Sequence, residues 1–151
     1  RGDLQCVGNG RAVDQDVESL NVIRRDYDWP WITTEQADVV QLLRGHFQPP
    51  EVDLAYAAGL FDYLSDRLAQ RTVAILFAML RPGGRLVISN FTPQAEGIGF
   101  MEAFMDWQLI YRDASALKAL ASDLPASELR ACEVCEDTYG NIVYLDIRKQ
   151  T

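Results

Sequence analysis

The sequence predicts an α/β fold, a mostly parallel sheet with helices on both faces and an antiparallel C-terminal hairpin strand. Three observations carry this. Short β-rich runs alternate along the chain with stretches of helical apolar spacing, the order that builds parallel strands joined by helices. Leu80-Arg-Pro-Gly-Gly-Arg-Leu-Val-Ile-Ser-Asn90 sets a glycine-proline stop directly before the clearest strand. The last two β-rich runs are separated by Tyr139-Gly140-Asn141, a hairpin signature.

The elements follow in order. Arg11-Ala-Val-Asp14 is a short apolar segment ending in an acid, and Val17 to about Arg24 has helical character. Trp31 to Val40 holds a further strand, and Val39 to Leu43 reads as apolar and buried. Gln48-Pro49-Pro50 marks a loop, after which Val52-Asp-Leu-Ala-Tyr-Ala57 reads as a buried strand stopped by Gly59. Ser65 is placed to cap the next helix, with Asp66 in its first turn complementing the dipole. Leu68, Ile75, Leu76, Met79 and Leu80 recur at helical spacing and predict its buried face, ended by Pro82-Gly83-Gly84. Arg85 to Asn90 is the next strand. Phe100, Phe104, Trp107 and Tyr111 then fall on one helical face, with Met101 and Met105 beside it, and core packing against the sheet is the expected role of that face. Asp113 caps a helix carrying Leu117 and Leu120 that stops before Pro125. Glu128 to Glu136 and Ile142 to Ile147 form the closing hairpin.

Composition bounds the function. The 151 residues fit one domain, and 48% hydrophobic with 24% charged residues is a globular balance. Fourteen basic against 22 acidic residues give a formal charge of −8, which repels phosphate backbones and argues against nucleic-acid partners. No apolar run approaches the roughly 18 residues of a membrane span; the longest, around Thr72 to Leu80, reads as a core helix. The first residue is Arg, so a fragment of a longer chain is expected, and three cysteines point to a reducing, cytoplasmic setting. Cys132 and Cys135 form a C-x-x-C. With only Cys6 and His46 as further ligands, and with the pair in a strand where residues three apart point to opposite faces, packed thiols are expected and no metal site.

In an open α/β sheet ligands bind beyond the carboxyl ends of the strands. Asp14 ends the first strand-like segment, and an ionised carboxylate there suits the vicinal hydroxyls of a ribose; the competing reading is a helix N-cap, for Asp16 in particular. Ala57-Ala58-Gly59 offers small residues that admit a ligand close to the backbone, or ordinary close packing. Asn90-Phe91-Thr92 ends the clearest strand, and Asp38 is placed to accept from an exocyclic amine.

Asp53-Leu-Ala-Tyr-Ala-Ala-Gly-Leu-Phe-Asp-Tyr-Leu64 and Leu80-Arg-Pro-Gly-Gly-Arg-Leu-Val-Ile88 resemble the fourth and fifth strand regions of class I S-adenosylmethionine-dependent methyltransferases. Asn90-Phe-Thr-Pro93 and Phe100-Met-Glu-Ala-Phe-Met-Asp-Trp-Gln-Leu-Ile-Tyr-Arg112 are similar to a bacterial subgroup, some members of which make methyl esters of 3-hydroxy fatty acids. The resemblance covers about Arg11 to Lys149 and implies a Rossmann-like fold with S-adenosyl-L-methionine as cofactor. It implies that Asp14 binds the adenosyl ribose, Gln15 packs on adenine, and Asp38 and the Val39 amide meet the adenine edge. It also implies that Ala57, Ala58 and Gly59 lie beside the methionine moiety, and that Asp62, Tyr63, Asn90, Glu102 and Tyr111 face a small or acyl acceptor. The family's Gly-rich loop and its helix precede the ribose acid by about 20 residues. Here only Gly2, Gly8 and Gly10 lie upstream, so Cys6-Val-Gly-Asn-Gly10 is expected as its remnant. His46 sits in a polar loop and is not expected to be catalytic. A non-catalytic scaffold and an NAD-dependent oxidoreductase, which shares the ribose acid, are the competing functions.

Overall fold

The structure is a computed structural model that describes residues 8–27, 29–47 and 50–151; Gly2, Cys6 and the Gln48-Pro49 part of the expected loop lie outside the described residues. The chain divides into two compact units, Arg1–Gln48 and Pro49–Thr151.

The first unit holds β1 (Gly10–Asp14), α1 (Val17–Asp26), β2 (Ile32–Gln36) and α2 (Val39–Leu43). The two strands are parallel, in register from Gly10 opposite Ile32 to Asp14 opposite Gln36, with α1 as the crossover. An Arg11–Glu35 ion pair spans the strands on their exposed side. Leu20 anchors α1 as its fully buried residue. In α2 only Leu42 is buried and Val40 is exposed, so the expected burial of Val39–Leu43 narrows to one position. A five-residue helix completes little more than one turn and presents a correspondingly narrow face.

The second unit contains β3 (Val52–Ala57), a 3-10 turn (Phe61–Tyr63), α3 (Asp66–Ala78), β4 (Leu80–Phe91), α4 (Ile98–Met105), α5 (Ala114–Ala119), β5 (Leu129–Glu136) and β6 (Ile142–Lys149). Its sheet runs β3-β4-β6-β5. β3 and β4 are parallel, and β6 is antiparallel to both β4 and β5. The fold is thus α/β and Rossmann-like, with the expected C-terminal hairpin turning at Gly140 (φ 70°). Leu86 and Ile88 on β4 and Val143, Leu145 and Ile147 on β6 are buried, alternating as strand geometry requires; Phe61, Val73, Phe77 and Leu117 complete the interior. Arg85 adds a two-pronged ion pair to Asp146 on the next strand, at 2.9 and 2.7 Å.

Several local expectations change. β3 is an edge strand of its sheet, and Leu54 and Tyr56 are 58% and 64% exposed, not buried. The buried face of α3 is Ala69, Thr72, Val73 and Phe77, while Leu68 faces out. Apolar spacing alone left the rotation of that helix open by about one position, because small and hydroxylated residues were not counted. Ser65 holds the N-cap position without a side-chain cap bond. Pro82-Gly83-Gly84 does not simply end α3, which stops at Ala78; it lies within β4 as a bulge, where Val52 pairs with Leu80 but Leu54 already pairs with Arg85. A Cβ on Gly84 would sit 2.9 Å from the Arg81 carbonyl oxygen, and Gly83 has φ 78°, so the bulge requires both glycines.

The aromatic helix is shorter than its spacing implies. α4 ends at Met105 because Asp106 adopts a left-handed conformation (φ 50°), which leaves Trp107 and Tyr111 beyond it. Phe100 and Phe104 stack at 5.4 Å, yet they are 59% and 81% exposed, so that face is not core. Asp113 caps α5 as expected, its carboxylate accepting from the Ala116 N–H at 2.7 Å.

Candidate functional site

In the first unit both parallel strands run out into an acid and then a helix. Asp14, the last residue of β1, is exposed; its Oδ1 accepts the Asp16 N–H at 2.8 Å, and no hydrogen bond from the described residues reaches Oδ2. The cap of α1 is Asp16, which takes the Glu18 and Ser19 N–H groups and the Ser19 hydroxyl. The Ser19 hydroxyl first, and then the Glu18 N–H, hold the Asp16 carboxyl below its ordinary value. The cap role therefore falls to Asp16 and leaves Asp14 with an acceptor oxygen to offer. Gln15 is exposed beside it, its carbonyl accepting from the Gln36 side chain.

β2 leads into Asp38, the N-cap of α2. Its Oδ1 accepts the Gln41 N–H at 2.7 Å while the Gln41 side chain accepts the Asp38 N–H, a reciprocal capping box. Val39 is the first residue of that helix, so its N–H belongs to the set without an intrahelical acceptor. Gly8 is exposed and surrounded by open space, whereas Gly10 lies inside β1, its N–H bonded to the Trp31 carbonyl; Gly10 is thus a strand residue and not part of a loop. His46, exposed beyond α2, has no neighbouring acid–base partner among the described hydrogen bonds.

In the second unit the C-terminal ends of β3 and β4 lie side by side, Ala57 opposite Ile88. The chain leaves β3 through Ala57, Ala58 and Gly59; Gly59 is left-handed (φ 74°), and no heavy atom lies within 4 Å of where its Cβ would be. Small residues thus leave this turn open.

The next two expected site residues are engaged by the protein itself. Asp62 is buried, its Oδ1 accepting the Phe91 N–H at 2.7 Å and its carbonyl accepting the Ile110 N–H at 2.7 Å. Burial pushes its carboxyl above the ordinary range, with the Phe91 N–H and the Arg112 charge acting in opposition. Asn90, also buried, donates to the Phe91 and Ile110 carbonyls and accepts from Arg112. Asp62 and Asn90 therefore organise the site from beneath. This corrects the expectation that Asn90 faces the acceptor, since both of its side-chain polar atoms are bound to neighbouring groups; of Asp62 only Oδ1 is so engaged, and no hydrogen bond from the described residues reaches Oδ2.

Arg112, which sequence reasoning did not single out, joins these pieces. It is 2% exposed. Its Nε and Nη2 donate to Asp66 at 3.1 and 2.8 Å, Nη1 to the Phe61 carbonyl and Asn90 Oδ1 (both 2.7 Å), and Nη2 also to the Leu64 carbonyl at 2.5 Å. Five N–H donors thus meet five hydrogen bonds. The signal available in the sequence was an arginine and an asparagine closing otherwise apolar runs, Leu109-Ile-Tyr and Leu86-Val-Ile.

Above this network lies an accessible rim. Tyr63 is exposed and its hydroxyl accepts from the Trp107 indole N–H. Trp107 meets Phe91 edge to face at 6.2 Å. Tyr111 donates to Glu102 at 3.2 Å, and its hydroxyl is pushed above the usual phenol range by desolvation, then by Glu102 and Asp62. Tyr63 with Trp107, and Glu102 with Tyr111, thus form two hydrogen-bonded pairs. Cys132 and Cys135 lie apart from it on β5; Cys132 is half-buried with its thiol pushed up by burial, and Cys135 is exposed, so the expected packed pair does not form. Among the described residues no group of three His, Cys, Asp or Glu side chains could hold a metal, and no helix is long and apolar enough to cross a membrane.

No known family profile and no curated protein matches the chain. Solved structures do. The chain superimposes with a TM-score of 0.74 at 20% identity on a Bordetella parapertussis protein described as a possible exported protein, over 95% of this chain and 54% of that one. The N-methyltransferase NodS from Bradyrhizobium japonicum, in complex with S-adenosyl-l-homocysteine, gives 0.64 at 17% identity over 95% and 67%. Human N-acetylserotonin methyltransferase in complex with SAM gives 0.66 at 14% identity over 95% and 41%. The likeness shows the fold. The chain spans about half the length of the first of these and less of the human enzyme.

Proposed function

We propose that the chain belongs to an S-adenosylmethionine-dependent methyltransferase that acts on a small or lipid-like acceptor. The observation that carries this is the way β1 and β2 end: each runs into an acid followed by a capped helix, with Asp14 exposed and keeping Oδ2 for a ligand. A carboxylate accepts only, so it suits the two donors of a ribose diol. Asp38 fits an exocyclic amine through its second oxygen while Oδ1 remains with Gln41, and the Val39 N–H fits a ring nitrogen. These residues fit an adenosine. The likeness to NodS and to the human enzyme, whose structures hold S-adenosyl-l-homocysteine and SAM, supports the same reading.

The cofactor, when bound, supplies a methyl group on a sulfonium, an activated electrophile. The chain's own residues then orient the acceptor and exclude water. In the second unit Tyr63, Trp107, Tyr111 and Glu102 present aromatic and polar surface to it, held in place by Asp62, Asn90 and Arg112. Calorimetric titration with S-adenosylhomocysteine, and in parallel with NAD, tests the proposal. Saturable binding of S-adenosylhomocysteine is expected. Binding of NAD alone would assign an oxidoreductase, and binding of neither would leave a scaffold.

A further inference from the structure

The segments framing the ends of β3 and β4, residues 57–63 and 90–112, contain a single cationic side chain, Arg112. That guanidinium is buried, and its five hydrogen bonds to Asp66, Asn90 and two backbone carbonyls leave no donor to receive an anion. What these segments do offer is π-surface and exposed carboxylates, those of Glu96, Glu102 and Asp106. Tyr63 is exposed, Phe91, Trp107 and Tyr111 are partly exposed, and Glu102 is exposed with the Tyr111 hydroxyl bonded to it. The bond from the Trp107 indole to the Tyr63 hydroxyl and the edge-to-face contact of Trp107 with Phe91 tie three of the rings into one unit.

We infer that this rim recognises an organic ammonium group on an otherwise apolar acceptor. Aromatic faces with a nearby carboxylate are the recurring protein solution for binding alkylated ammonium ions. A carboxylate would meet no free cation from these two segments and would face the charge of Glu102, so a fatty-acid head group, which the ester-forming subgroup would imply, is disfavoured here. The partly exposed rings of Phe91 and Trp107 provide surface for the apolar remainder, whereas the Phe100–Phe104 stack, two residues from Glu102 on each side, lies on another face of the helix. The inference rests on the proposed function only in taking the rim as the acceptor side.

The test is a pair of calorimetric titrations with ligands of the same ring and opposite charge, benzyltrimethylammonium and phenylacetate. The cation is expected to bind saturably and at least about tenfold more tightly than the anion, as charge complementarity at an aromatic site requires. Glu102→Gln, at an exposed position where folding is checked by the unfolding midpoint, should weaken the cation several-fold and leave the anion unchanged or improved. Equal or tighter binding of phenylacetate, no saturable binding of either ligand, or an unaltered cation affinity in Glu102→Gln would overturn the inference. The S-adenosylhomocysteine titration reports separately: its success with failure of the cation sinks this inference alone, and the reverse sinks the proposed function alone.

Discussion

Asp14 and Asp62 both follow the carboxyl end of a parallel strand, yet their surroundings assign them opposite work. Asp14 is exposed and holds one backbone N–H with one oxygen, leaving the other without a protein donor. Asp62 is buried, clamps β4 through the Phe91 N–H, and pays for burial with a raised carboxyl. An acid at a strand end is therefore not by itself a ligand site; what separates the two is whether the chain that follows covers it. After β3 the 3-10 turn and residues 110–112 fold over Asp62, whereas after β1 the capping task passes to Asp16 and Asp14 stays open.

The largest test of this contrast is Arg112→Met. Removing the guanidinium strips partners from Asn90 and from the Phe61 and Leu64 carbonyls in a buried setting, and a loss of about 3–5 kcal/mol in urea unfolding is expected. Little of that comes from Asp66, whose side chain is mostly exposed. A loss below about 1 kcal/mol would mean that the network is not what holds the site together. Asp14→Ala should do the opposite, leaving the unfolding midpoint nearly unchanged while weakening S-adenosylhomocysteine by about 1–3 kcal/mol in calorimetry. Unchanged affinity would remove Asp14 from the site.

Two pH experiments sharpen the comparison further. The carboxyl of Asp62 is higher in the folded than in the unfolded state, so the folded protein binds more protons, and stability from this group falls as pH rises from its unfolded value near 3.8 through its folded value. Asp62→Asn, which keeps an oxygen for the Phe91 N–H, should flatten that fall when urea midpoints are compared between about pH 4 and about pH 7. Asp146 is the reverse case and the smallest effect. The Arg85 side chain lowers its carboxyl, so its contribution is present above the unfolded value and is lost as pH drops through the lower folded one. Asp146→Asn should make acid unfolding less steep at its low-pH end and change little near neutrality.

Much of the architecture was legible in the residues. The β11–14 and helical 17–24 segments, the Asp113 cap, the Tyr139-Gly140-Asn141 turn and both closing strands all declare themselves through local chemistry, because turn and cap preferences act over a few residues. The errors share a different origin. The exposure of Leu54 and Tyr56, which share one face of β3, follows from that face being left uncovered, the face of α3 from what packs beneath it, and the early end of α4 from a single left-handed residue, Asp106. Periodicity reports that a segment has an apolar side and is silent on whether anything covers it. At the site, the sequence missed that Asn90 and one oxygen of Asp62 serve the interior, and it passed over Arg112 because a buried arginine looks, in one dimension, like any surface one.

The order of strands and helices, the turns and the caps are thus properties of this amino-acid string, since each depends on neighbours along the chain. Which polar groups became interior fastenings and which stayed open was settled only when distant segments met. Arg112 gathers carbonyls from Phe61 and Leu64 and the amide of Asn90 across separations of 51, 48 and 22 residues. No local preference encodes such a meeting; it follows from the cost of leaving buried donors and acceptors unpaired, which the folded chain meets by bringing them together.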